Sequence, residues 1–205
     1  MIGIKTVKPY KQVDHQFIGT QFLIVVFPLI PINSYFIIDD LVERSFEIGI
    51  NWKHLVKIYS GILTFIIIVL MILPEFLHWS ISIKTLIIVT SLSLTLGLIF
   101  NFDRMDQDEK EKRLFFGKVV GINALPSYMS MSAALLLRNK FTIALKNQIN
   151  TSENWKEILD KKLYSDQDIP LIYIIAEYQY RIDPSDENKA VLTNFKQQTT
   201  LAKKN

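Results

Sequence analysis

Two stretches of this chain are too long and too evenly apolar for a soluble protein of 205 residues. Residues 55–73 read LVKIYSGILTFIIIVLMIL, and residues 81–102 read ISIKTLIIVTSLSLTLGLIFNF. Each carries one charge, Lys57 or Lys84, near its start. A helix that crosses a bilayer needs about 20 mostly apolar residues, because each adds about 1.5 Å toward a core of roughly 30 Å. The alternative is a pair of buried helices in a soluble fold. Runs such as FIIIVLMIL are apolar on every face, and a chain of this size has little else to cover them. Both segments lie far from the N-terminus, so neither reads as a removable signal.

The flanks fit a membrane-spanning pair. Trp52 and Tyr59 lie near one end of the first helix, Phe76 and Trp79 near the other, and Phe100 and Phe102 close the second. Aromatic rings favour the headgroup layer. The link PEFLHWS, residues 74–80, is so short that the helices must be antiparallel neighbours. Arg44, Lys53 and Lys57 precede or open the first helix, and Arg104, Lys110, Lys112 and Arg113 follow the second. The link has no Lys or Arg. The positive-inside rule then puts both termini in the cytoplasm, in the inner membrane of a cell; the nearby acidic residues count little in it.

Residues 17–38, FIGTQFLIVVFPLIPINSYFII, are long enough to span, but Pro28 and Pro31 interrupt them. We expect a strand or short helix over 17–27 at the membrane surface and a strand over 32–38, with GIKTVKPY (3–10) able to pair with the latter. A re-entrant element is a variant of this reading. A third span is the alternative, and it would put the N-terminus outside. The run FLIVVFPLIPINSYFII, followed by NWKHLVKIYSG at 51–61, resembles a group of uncharacterised bacterial two-helix membrane proteins. In these an apolar Pro-x-x-Pro segment leads into Ser-Tyr and a β-branched strand. The resemblance covers about the first 100 residues and implies an architecture without an activity. A similar Pro-Leu-Ile-Pro run occurs in small zinc-ribbon proteins, but flanked by Cys pairs. This chain has no Cys, so that metal site does not carry over.

From residue 103 the composition becomes that of a soluble helical domain. Segment 103–205 holds 16 basic and 14 acidic residues, too balanced for a nucleic-acid-binding face. Met131, Ala134, Leu135, Leu137, Phe141, Ala144 and Leu145 form one helical stripe, and Trp155, Ile158, Leu159 and Leu163 another. Thr151 or Ser152 is placed to cap the second of these helices. Asp168 is placed to cap the helix LIYIIAEYQYRI, which should stop at Asp183-Pro184. Ser185 or Asp186 then opens a last helix with Ala190, Leu192 and Phe195. The pair around Asp183-Pro184 resembles half of a tetratricopeptide-type repeat. A second copy at the required period is missing, which favours two helices joined by a Pro turn.

Signs of chemistry are few. GKVVG at 117–121 lacks the first Gly and the following Ser or Thr of a phosphate loop. His15, His54 and His78 fall in separate regions without metal-ligand spacing, and His54 and His78 read as interfacial residues. The loop GINALPS, with Gly121, Asn123, Leu125, Pro126 and Ser127, is the candidate partner-binding loop. Ser93 and Gly97 are the candidate helix–helix contact, either with another copy or with Ser60, Gly61 and Thr64 of the first helix.

The expectation is therefore a mainly α integral membrane protein in three parts. Residues 1–50 form an N-terminal interfacial β element, 51–102 a transmembrane hairpin, and 103–205 a cytoplasmic all-α domain. The favoured function is a non-catalytic scaffold that uses membrane lipid as its anchor and binds a protein partner, without cofactor, metal or nucleic acid. The alternative is a subunit of an oligomeric transporter or channel. An enzyme ranks last for want of a catalytic cluster.

Overall fold

The computed structural model describes residues 3–24, 28–38, 45–73, 79–103 and 105–202. Arg44, Phe76, His78 and Arg104, and most of the 74–80 link, lie outside the described residues. The described part is mainly helical with one small sheet. Strands β1 (Gly3–Val13), β2 (Gln16–Ile24), β3 (Pro28–Ile37) and β4 (Ser45–Ile48) precede seven helices. These are α1 (Trp52–Ile72), α2 (Ile81–Asp103), α3 (Gln107–Val120), α4 (Met131–Gln148), α5 (Trp155–Asp160), α6 (Ile169–Ile182) and α7 (Asp186–Ala202). Contacts group the chain into two units: residues 1–45 with 49–110, and 46–48 with 111–205.

In the first unit β1–β2 and β2–β3 pair antiparallel. This corrects the expected N-terminal pairing. The described residues of 17–38 form two strands rather than a spanning helix, and β1 pairs with β2 rather than with the strand at 32–38. The β1–β2 turn is Asp14-His15, both at positive φ (46° and 66°). That is the signature of a two-residue hairpin whose twist matches its strands. Asp and His tolerate this backbone better than most residues, so the turn forms without glycine. The prolines are absorbed at irregular points: Pro28 opens β3, and the register shifts where Phe22 faces Pro31.

Helices α1 and α2 form the antiparallel pair that the short link requires. Asn51 caps α1, its side chain accepting from the His54 N–H at 3.1 Å. Thr64 Oγ1 lies 3.1 Å from Ser91 Oγ and 2.5 Å from Thr95 Oγ1, and Thr95 donates to the Ser60 carbonyl at 3.4 Å. Both helices are long and apolar enough to cross a membrane, with mean hydropathies of 2.5 and 2.0 over their most apolar stretches.

In the second unit α6 is the core element. Leu171 to Ala176 and Tyr178 are all buried, and α4 and α7 pack on it. Phe116, Phe141, Tyr173 and Tyr178 form an aromatic cluster around it. Helix α6 stops at Ile182, before Asp183-Pro184, as the proline demands. Ser185 Oγ accepts from the Asn188 N–H at the start of α7, where Phe195 is buried but Ala190 is exposed.

Several local expectations need correction. Of the α4 stripe, Ala134, Leu137, Phe141 and Leu145 are buried, whereas Met131, Leu135 and Ala144 are exposed. Trp155 and Ile158 are buried, but Leu163 lies beyond the end of α5 and is exposed. Helix α5 is capped by Asn154, not Thr151 or Ser152, because only Asn154 completes a reciprocal capping box with Glu157. Asp168 sits at the α6 N-cap without capping it. Its carboxylate accepts from Ser165 N and Oγ at 2.8 and 2.7 Å, and from Gln148 Nε2 at 2.6 Å.

Candidate functional site

The helical unit holds a polar cleft of about 320 Å³ between α4, α5, α6 and α7. Helical spacing on α4 lines up Arg138, Thr142 and Lys146 along one wall. The Asn154 cap fixes the start of α5, which contributes Trp155, Lys156 and Leu159. Gln179 comes from α6, and Glu187, Asn188 and Val191 from α7. Trp155 thus has two duties, filling the core while lining the cleft.

Electrostatically the cleft is mixed. Lys156 and Glu187 pair at 3.0 Å, well exposed, and this contact raises the Lys156 pKa. An exposed pair of this kind adds little stability. Arg138 is different. Its Nε is buried and has no hydrogen-bond partner, while Nη1 donates to Asn139 Oδ1 at 3.0 Å. Burial lowers the Arg138 pKa. A buried donor without an acceptor is costly, on the order of 1–3 kcal/mol. The cleft can therefore take a polar, acceptor-bearing group. Among the described residues there is no set of three His, Asp or Glu able to hold a metal ion.

The loop singled out in the sequence is placed differently. Gly121 is exposed at φ +73°, and Ser127 is exposed, but residues 122–126 are buried. The exposed turn expected there is not formed. Arg113, itself fully buried, donates from Nε to the Asn123 carbonyl at 2.8 Å, and Tyr178 donates to the Ala124 carbonyl at 3.2 Å. The Arg113 guanidinium also lies over the Tyr128 ring, 5.8 Å from its centre. Gly117 makes the approach possible: a Cβ there would sit 1.5 Å from Asn123 Oδ1. Asn123, Leu125 and Pro126 are thus packing residues.

Ser93 is exposed on α2, and a Cβ added at Gly97 would meet nothing within 4 Å. Neither forms the α1–α2 contact, which Ser60, Thr64, Ser91 and Thr95 make instead. Gly61 is likewise open. An open groove of about 480 Å³ runs along this seam, walled mainly by Leu and Ile.

His54 is not an exposed interfacial residue. It is buried, its Nδ1 lies 2.9 Å from Thr20 Oγ1, and Thr20 reaches Ser34 Oγ at 2.9 Å. The Tyr10 ring stacks on it at 5.1 Å. Ser34 Oγ also accepts from the Asn51 N–H at 3.2 Å. This network ties the sheet to the first turn of α1. Thr20, Ser34 and His54 are all buried, so the hydroxyl–imidazole contact offers no open face to a substrate. No local motif announces it, since its members lie 14 and 34 residues apart. His15 lies in the β1–β2 turn, exposed.

No protein-family model, curated protein or solved structure matches the chain.

Proposed function

We propose that this chain is a membrane-anchored, non-catalytic interaction protein. The α1–α2 hairpin crosses the inner membrane, both termini lie in the cytoplasm, and the helical unit binds a partner protein there. One observation carries the reading. In the most apolar window of α1 and of α2, only 11% and 6% of residues are buried within the protein. So much exposed apolar surface is stable only where lipid covers it, because water would have to solvate both helices. The partner surface is the cleft at Arg138, Lys146 and Trp155, since the 121–127 loop is taken up by packing.

A second reading has a specific observation behind it. The groove along Thr64, Ser91 and Thr95 could seat another copy of the hairpin, as a transporter or channel subunit requires. Its hydroxyls already bond to one another, which leaves them little to offer a solute. A photo-crosslinking residue placed at Val191, in the cleft, or at Ser93, on α2, separates the two in intact membranes. The scaffold reading expects an adduct to a different protein from Val191, lost in Arg138→Ala. Adducts to a second copy from Ser93, with none from Val191, would favour the oligomeric reading.

A further inference from the structure

The sheet of the first unit has a charged turn at one end and, at the other, a row of apolar side chains on one face, with Lys5 on the opposite face. The polar end holds the Asp14-His15 turn and Lys11, which pairs with Glu109 at 2.8 Å. At the other end the register sets Ile4 opposite Leu23 and Leu23 opposite Ile30, a row across three strands. Ile4 is 62% exposed and Ile30 56%. Phe22 meets Tyr59 of α1 edge-on at 6.2 Å. Side chains alternate along a strand, so Leu23 and its row lie on the face turned away from α1.

The direction of β2 gives these residues a depth. Thr20 bonds to His54 and Phe22 reaches Tyr59, so β2 runs along α1 in the same sense. The three residues from Thr20 to Leu23 cover about 10 Å. That distance is roughly seven residues of helix, which puts the row beside the apolar part of α1 near Gly61. The charged end lies on the other side of His54. There Tyr10 Oη donates to the Phe102 carbonyl at 3.0 Å, at the end of α2.

We infer that Ile4, Leu23 and Ile30 are immersed in the interfacial layer of the bilayer that α1 and α2 cross. This rests on the transmembrane reading above and adds a second contact with lipid, made by a sheet. The row lies at the depth of the apolar part of α1 but on the outer face of the sheet, and the charged turn lies on the side of His54 nearer the end of α2. β1 is an edge strand, and open backbone groups are not tolerated in hydrocarbon. Immersion therefore stops near the boundary of headgroups and acyl chains, about 5–10 Å deep. The Thr20–Ser34–His54 network makes the sheet a collar that sets how far the hairpin sinks.

The chain has no Cys, so single Cys residues can be placed cleanly. Ile4→Cys, Ile30→Cys, Asp14→Cys and Ile66→Cys all fall at exposed positions. Each full-length variant is nitroxide-labelled and reconstituted in vesicles of phosphatidylcholine and phosphatidylglycerol. Collision with oxygen, which partitions into lipid, is then compared with collision with a water-soluble nickel chelate. The expected order of oxygen-to-chelate ratio is Ile66 highest, Ile4 and Ile30 between, and Asp14 lowest. Ile4 or Ile30 at the Asp14 value, with Ile66 still in lipid, overturns the immersed sheet and spares the transmembrane reading. Ile66 at the Asp14 value overturns both.

Discussion

Helices α1 and α6 are both rich in Ile and Leu, and they are built inside out relative to each other. In α6 the apolar residues Leu171, Ile172, Ile174 and Ile175 are buried. In α1 the buried residues are His54, Leu55 and Thr64, while Leu63, Phe65, Ile66 and Val69 are exposed. The buried polar groups of α1 each find a partner inside: Thr20 for His54, and Ser91 and Thr95 for Thr64. An unpaired hydroxyl or imidazole facing hydrocarbon would be costly, whereas an exposed Ile costs nothing in lipid. Composition alone says that a helix is apolar. What is buried in it separates a core helix from one that leaves its apolar residues exposed.

The comparison can be broken most forcefully in the helical unit. Trp155→Ala should destabilise that unit by roughly 3–5 kcal/mol, through lost burial and a cavity. Chemical denaturation of the full chain in detergent, followed by far-UV circular dichroism, measures it. An unchanged midpoint would mean that Trp155 serves the cleft alone.

The matching change in the hairpin should be smaller. Thr64→Val keeps the shape of a side chain buried at 6% exposure and removes the hydroxyl shared with Ser91 and Thr95. Hydrogen bonds between membrane helices are worth roughly 0.6–1.7 kcal/mol. Steric-trap or denaturant unfolding in bicelles should show a loss in that range. A loss as large as that of Trp155→Ala would mean that the α1–α2 seam depends on its hydroxyls more than on packing.

The parts legible in the sequence are those set by local pattern. Length and hydropathy give α1 and α2, and Asp183-Pro184 gives the end of α6. The parts not legible depend on distant partners. β1 and β2 meet through an Asp-His turn that carries no glycine signal, so the sequence leaves a pairing of residues 3–10 with the strand at 32–38 equally open. The 121–127 segment has the composition of a surface loop. Its burial depends on Arg113 and Tyr178, and on the missing side chain of Gly117. Met131 and Leu135 keep helical spacing with the buried residues of α4 yet lie at the edge of the stripe, where each is left about half exposed. For the same reason the cleft had no sequence signal: its walls come from four helices between residues 138 and 191.

The proposed topology has α1 and α2 crossing the membrane and the helical unit in the cytoplasm. Ser80, at the start of α2, and Ser127, in the helical unit, are both exposed. Ser80→Cys and Ser127→Cys, each the sole thiol in the chain, can be treated in intact bacterial cells with a membrane-impermeant maleimide. Ser80→Cys should be labelled at once, and Ser127→Cys only after the cells are permeabilised. Labelling of Ser127→Cys in intact cells, with Ser80→Cys protected, would contradict it.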